Sequence, residues 1–147
     1  MTATSHAIIG TVIAAKIGNP ALAIPIALAT HFIADLIPHW DTGTNEKKKG
    51  RKRVYYESFV DVVCSILAVY LLVYYFFPYT NLKYAYLIAF VAQLPDWLTA
   101  PYYFYHIKFM KPFYNLQKLF DNKLDKPWGI ITQVSFLLAI IVIAKVI

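Results

Sequence analysis

The sequence predicts an all-α protein, a polytopic membrane bundle of about five hydrophobic helices in one domain spanning residues 1–147. Three observations carry that expectation. The chain is 59% hydrophobic and only 15% charged, where ordinary soluble domains are about a quarter charged, and its mean hydropathy is +0.51. Its apolar residues fall into runs close to the length of a membrane span. Its basic residues gather in two stretches between those runs, as cytoplasmic loops do.

The elements follow in order. The first helix is expected over about 5–18, with Thr4 or Ser5 as N-cap and Gly18-Asn19-Pro20 as its end. The second covers about 20–37. Pro20 suits a first helical position, Pro25 still lies near the first turns, and Pro38 stops the run. The third covers about 56–77 and is closed by Pro78; the fourth covers about 82–94, ahead of Pro95; the fifth covers about 128–147. A span needs about 20 residues, so the second, third and fifth fit directly and the first and fourth are short.

The loop over about 38–55 carries Lys47, Lys48, Lys49, Arg51, Lys52 and Arg53. The loop over about 101–127 carries Lys108, Lys111, Lys118, Lys123 and Lys126. Together these are eleven of the 14 basic residues in a chain of net charge +6. With five spans both loops fall on one side. The positive-inside rule places them and the N-terminus in the cytoplasm and the C-terminus outside, a multi-pass protein of the cell (inner) membrane. Tyr55, Tyr56, Tyr74, Tyr75, Trp97, Tyr102, Tyr103 and Trp128 cluster at run ends, as interfacial aromatics do. The N-terminal residues show neither a basic n-region nor a small-residue cleavage site, so no cleaved leader is expected. A single cysteine, Cys64, excludes an internal disulfide and a C-x-x-C knuckle, and its apolar surroundings suggest packing.

Polar chemistry concentrates in His31-Phe-Ile-Ala-Asp35-Leu-Ile-Pro38-His39-Trp40-Asp41. His31, Asp35 and His39 stand at i, i+4 and i+8, a drift of only about 80° on a helix, so they share a face. Imidazole and carboxylate are ligands that zinc, manganese and iron accept, and ionisable groups at membrane depth usually mark function. The same groups could instead be a hydrogen-bonded polar core. His6 opens the first run, on the face where the second ends, and reads either as a further ligand or as a surface residue. Glu57 and Asp61, at i and i+4, read as ligands or supporting groups, or as partners of nearby Lys and Arg. Leu36-Ile37-Pro38-His39-Trp40 is echoed by Gln93-Leu94-Pro95-Asp96-Trp97, which makes Asp96 another candidate ligand. His106, in an aromatic loop, reads as interfacial.

The basic run Glu46-Lys-Lys-Lys-Gly-Arg-Lys-Arg53 suits anionic membrane lipids, at about 1 kcal/mol per basic residue near the surface. Nucleic acid is not expected, because no recognised fold or stacking platform accompanies it. No phosphate loop, G-x-S-x-G elbow or Ser/His/Asp triad is present. No feature identifies a protein partner.

Ser5-His6-Ala-Ile-Ile-Gly10, followed by His31-x3-Asp35-x2-Pro38-His39-x-Asp41, resembles the small bacterial and archaeal membrane-bound metal-dependent hydrolases (the YdjM-like family). More distantly it resembles the helical zinc-dependent phospholipase C group. The resemblance covers mainly residues 5–41 and implies that His6, His31, Asp35, His39 and Asp41 are metal ligands. Members of the membrane-bound family carry a later motif of the H-R-G-x-T-H-S kind, and here His106 is the only histidine after position 39.

Two functions follow as expectations. One is a metal-dependent hydrolase of a phosphoester, lipid included, at the cytoplasmic membrane face. There a divalent ion, zinc before manganese or iron, activates water, with Asp35 or Asp61 as general base. The other is a non-enzymatic integral membrane protein in which the same residues hold a structural ion or form a polar cluster. A proton-relaying transporter through Asp61 and His31 is a weaker third, since five short spans show no inverted repeat.

Overall fold

Each long helix begins at a residue whose chemistry stops the preceding chain. In a computed structural model, which describes residues 1–146, Thr2 rather than the expected Thr4 or Ser5 caps α1 (Ala3–Lys16), its Oγ1 accepting the Ser5 amide at 3.2 Å. Asn19 Oδ1 accepts the Ala21 amide at 2.9 Å and Pro20 occupies the first position of α2 (Pro20–Asp35). The short helix α3 (Glu46–Lys49) ends at Gly50, whose φ of +78° suits glycine, and α4 (Arg51–Tyr75) starts at once. Asn81 caps α5 (Leu82–Tyr105) through the Tyr84 amide at 3.1 Å. A 3₁₀ turn (Lys108–Met110) and α6 (Lys111–Lys118) lead to α7 (Trp128–Val146). The described residues are all-α, with no strand and one isolated bridge, His39 to Lys123.

Two expectations need correction. The fourth helix does not stop before Pro95. It runs through Pro95 and Pro101 to Tyr105, where His106 takes a left-handed conformation. A proline removes one amide and crowds the carbonyl four residues back. Pro95 leaves the Val91 carbonyl without its amide; the His31 ring N–H donates to the next carbonyl, Ala92 O, at 2.8 Å, and packing of α5 against α1, α2 and α4 holds the helix together through the proline. The second correction concerns the spans. Among the described residues two helices, not about five, are long and apolar enough to cross a membrane: Arg51–Tyr75, with mean hydropathy 1.9, and Trp128–Val146, with 2.2. At 1.5 Å per residue, the 14 residues of α1 and the 16 of α2 reach only about 21 and 24 Å, short of a 30 Å hydrocarbon core. α5 is long enough, but Lys83, Gln93 and Asp96 and its many tyrosines dilute its apolar character.

The shortest of the long helices lies at the centre. α1 packs on α2, α4, α5 and α7 and buries nine of its residues, from Ser5 to Ala14. Small side chains permit this. Ala7, Ala23, Ala27, Ala85 and Ala89 are all but inaccessible, and a Cβ on Gly10 would lie 2.7 Å from the Ala89 Cα, so α1 and α5 touch backbone to backbone. Large apolar side chains point outward instead, including Phe59, Ile66, Leu67 and Leu71 on α4 and Ile131, Leu138, Val142 and Ile143 on α7. Cys64 also faces outward rather than packing.

Both basic stretches and the start of α1 meet at one end of the bundle. The His39 amide donates to Asn122 O at 3.1 Å, Leu124 N to His39 O at 2.7 Å, and Trp40 N to Gly129 O at 3.2 Å. At the other end the Tyr84 hydroxyl donates to Ile17 O at 2.7 Å and Lys145 Nζ to Phe76 O at 2.9 Å.

A candidate metal centre at the loop end

The site is assembled from three long helices and two loops. α1 contributes His6, α2 contributes His31 and Asp35, and the residue after Pro38 contributes His39. The turn that follows contributes Asp41, α5 contributes Asp96, and the loop after α6 contributes Asp121. His6, His31, Asp35 and His39 are all at most 1% exposed. Such burial of polar groups is costly unless they are paired or coordinate an ion.

Asp35 lies between two groups of donors. Its Oδ1 is 3.2 Å from His6 Nε2 and 3.9 Å from His39 Nε2, and its Oδ2 is 3.4 Å from His31 Nε2. On one side His6, His31 and Asp96 bring ligand atoms within 4.8 Å of one another; on the other, His39, Asp41 and Asp121 do the same. Asp96 stands 3.9 Å from both His6 Nε2 and His31 Nε2. The His6 and His31 rings stack with centroids 4.0 Å apart. His39 Nε2 is 3.4 Å from Asp121. These two buried His/Asp groups could hold a metal ion.

The backbone fixes which nitrogen each ring offers. His31 Nδ1–H donates to Ala92 O at 2.8 Å, and His39 Nδ1–H donates to Ile37 O at 2.8 Å. A neutral imidazole with Nδ1–H so engaged presents a lone pair at Nε2, which is how metal-ligating histidines are oriented. Those Nε2 atoms then face carboxylate oxygens, acceptor against acceptor. His6 Nε2, His39 Nε2 and Asp35 Oδ2 are buried without a hydrogen-bond donor. Unsatisfied buried atoms of this kind call for a proton or a cation between them, so the donor set fits a divalent ion.

Cationic groups of the chain already lean on the acids. The Met1 amino group contacts Asp35 Oδ1. Lys123 Nζ lies 2.8 Å from Asp41 Oδ2 and 3.2 Å from Asp121 Oδ2. Burial alone would favour the neutral amine, but the two carboxylates hold the Lys123 ammonium well above the ordinary lysine range. Burial likewise opposes ionisation of Asp121, and the neighbouring His39 imidazole and Lys123 ammonium overcome this and keep it below the usual carboxylate range. Gln117 Nε2 donates to Asp96 Oδ1 and lies 3.5 Å from His31 Nε2.

Two candidates stand apart from both groups. Glu57 pairs with Lys49 Nζ at 2.7 Å and Arg53 Nε at 2.9 Å. Asp61 anchors the start of α1, accepting from Ala3 N at 2.6 Å, Thr4 N at 3.2 Å and Thr4 Oγ1 at 2.6 Å. A carboxylate at a helix N-terminus satisfies free amides and the positive end of the dipole. Asp121 was missed by the sequence reading. It lies in a lysine-rich loop with no spacing to announce it, and backbone bonds bring it in, with Asn122 N donating to Asp35 O at 3.0 Å. The echo positions His39 and Asp96 both arrive beside Asp35.

A cavity of about 1070 Å³ opens beside the site. Asp41, Asp96, Asp121, Lys118 and Lys123 line one part of it, and Tyr55, Phe59, Trp97 and Phe104 another. Comparison with protein-family models, with curated proteins and with solved structures finds no significant match for this chain.

Proposed function

We propose that the chain is a multi-pass protein of the inner membrane that hydrolyses a phosphoester at the cytoplasmic face, using one or two divalent ions. The observation that carries this reading is the orientation of His31 and His39. Each donates Nδ1–H to a backbone carbonyl and turns Nε2 toward Asp35. The nitrogen and oxygen donors favour zinc, with manganese or iron as alternatives. Two helices long and apolar enough to cross a membrane, and the basic loops gathered at one end, support the membrane setting.

His6, His31 and Asp96 would hold one ion, His39, Asp41 and Asp121 a second, and Asp35 would face both. Such an ion lowers the pKa of bound water to near 7 and so supplies a nucleophile at neutral pH. The chain's own residues do the rest. Asp96 reaches the cavity and accepts a hydrogen bond from Gln117, so it is placed to hold the ion at the edge of the cavity. Asp35 is enclosed by three imidazoles and serves to hold them. Asp61 lines the same cavity outside both ligand groups, held by Ala3 and Thr4 at the start of α1, and is the carboxylate that would take the proton from the attacking water. Lys118 and Lys123 line the same cavity among the carboxylates of Asp41, Glu46, Asp61, Asp96 and Asp121, so the divalent ions would supply the charge that holds an anionic ester there. Membership of the membrane-bound metal-dependent hydrolases is the family reading that agrees with this site.

Metal analysis of the purified protein, paired with hydrolysis of bis(p-nitrophenyl) phosphate, tests the proposal. Wild type should carry stoichiometric metal and cleave the ester, and His31→Ala should lose both. Protein purified without metal that also fails to take it up would overturn the reading. Metal bound stoichiometrically with no turnover would favour a structural ion in a non-enzymatic membrane protein.

A further inference from the structure

We infer that the substrate of this site is a phosphoryl amphiphile, and that one of its hydrocarbon chains lies in a furrow between α4 and α5. The inference rests on the hydrolase reading for its phosphoryl end and on separate observations for its chain. A second cavity of about 270 Å³ is lined by Val62, Ser65, Ile66 and Val69 of α4 and by Tyr86, Ala89, Phe90, Gln93 and Trp97 of α5. Val62, Gln93 and Trp97 also line the large cavity beside the metal centre, so the furrow continues from it. From Val62 to Val69 it follows α4 away from the site for about 10 Å.

Its walls suit a hydrocarbon and not a peptide. The polar groups within it are engaged locally: Ser65 Oγ donates to Val62 O at 2.7 Å, Gln93 Nε2 to Ala89 O at 3.2 Å, and the Tyr86 hydroxyl to Ile66 O at 3.1 Å. A peptide backbone would bring donors and acceptors into a trough that offers little to meet them, which is costly. No charged residue lines the furrow, whereas Lys118 and Lys123 line the chamber at its end. Charged groups of both signs are therefore confined to the chamber, where the ions would sit, and the furrow is left to an uncharged chain, the division a lipid phosphoester has. Ile66, Phe90 and Trp97 are between 43% and 51% exposed, so the furrow is open along its side. Its α4 wall belongs to a helix long and apolar enough to cross a membrane, so a chain can enter sideways from the bilayer without passing through water.

The test uses a dodecylphosphonate bearing a diazirine on its chain, with the full-length protein in nanodiscs and its metal content measured in parallel. Crosslinks should concentrate on Ile66, Val69 and Phe90, at least tenfold above the outward-facing Leu67 and Leu71. They should fall by about that factor in Val62→Trp, which blocks the path where the two cavities join. Ile66→Trp closes the outer lip and gives the same expectation should Val62→Trp not fold. Label spread evenly over α4, or unchanged in the blocked variant, would overturn the furrow. If phenylphosphonate, which has no chain, still bound the metal-loaded protein in that event, the hydrolase reading would stand alone. Label confined to the furrow in a protein that takes up no metal would instead support the chain site and sink the metal centre.

Discussion

Replacing Asp35 by Asn keeps the size of the side chain and removes the charge that faces His6, His31 and His39 at 3.2, 3.4 and 3.9 Å. If an ion binds at this cluster, its affinity should fall about 100-fold, the upper end of what loss of a supporting group costs and a modest figure for a direct ligand. The consequence can be read as stability. With metal at about a thousand times its dissociation constant, binding adds about 4.1 kcal/mol to the folded state. For a chain of this size that is a rise in Tm of roughly 8–16 °C over chelated protein. A 100-fold weaker site at the same concentration adds about 1.4 kcal/mol, or roughly 3–6 °C. The assay is thermal unfolding of both proteins in detergent, with and without chelator, alongside elemental analysis. A wild type whose Tm is indifferent to chelator and to added metal, and an Asp35→Asn that behaves identically, would refute the reasoning. The cluster would then be a polar core balanced by the chain's own cations.

Three further outcomes are expected. Asp61→Ala removes the acceptor for the Ala3 and Thr4 amides and should lower stability by about 1–2 kcal/mol while leaving metal content unchanged, as elemental analysis will show. Gly10→Ala places a methyl 2.7 Å from the Ala89 Cα; the overpacking should cost about 1–3 kcal/mol, read as a fall in Tm, and an unchanged Tm would mean that α1 and α5 do not touch there. Lys123→Met should lower Tm to a similar extent from about pH 5 to 9, because Asp121 is held below the usual carboxylate range and Lys123 above the usual lysine range. The lowered Asp121 contributes stability above its unfolded value that fades as pH falls through its folded value. The raised Lys123 contributes below its unfolded value and loses this only as pH rises through its folded one, so the deficit should shrink at acid pH, below about 4.

The sequence by itself determined the class of the protein and the core of its site. An apolar excess and apolar runs of helical length bounded by proline and glycine are local signals, so the all-α fold was legible. His31, Asp35 and His39 could be grouped because a helix repeats every 3.6 residues and Pro38 ends it. His6 could be joined to them because two antiparallel helices share an end. Tertiary structure decided the rest. Pro95 reads as a stop until α5 is packed against α1, α2 and α4, which holds the helix through it. Glu57 and Asp61 read as ligands or as partners of nearby groups, and only the fold shows Glu57 against Lys49 and Arg53 and Asp61 against the first turn of α1. Asp121 carries no pattern, since only the pairing of the 119–125 loop with His39 and Asp35 delivers it to the cluster. Among the described residues, the number of helices long and apolar enough to cross a membrane is two rather than about five, because α1 and α2 are too short and α5 is too polar. Periodicity along one chain records which residues share a face. Which faces meet depends on backbone hydrogen bonds and close packing between segments far apart in sequence.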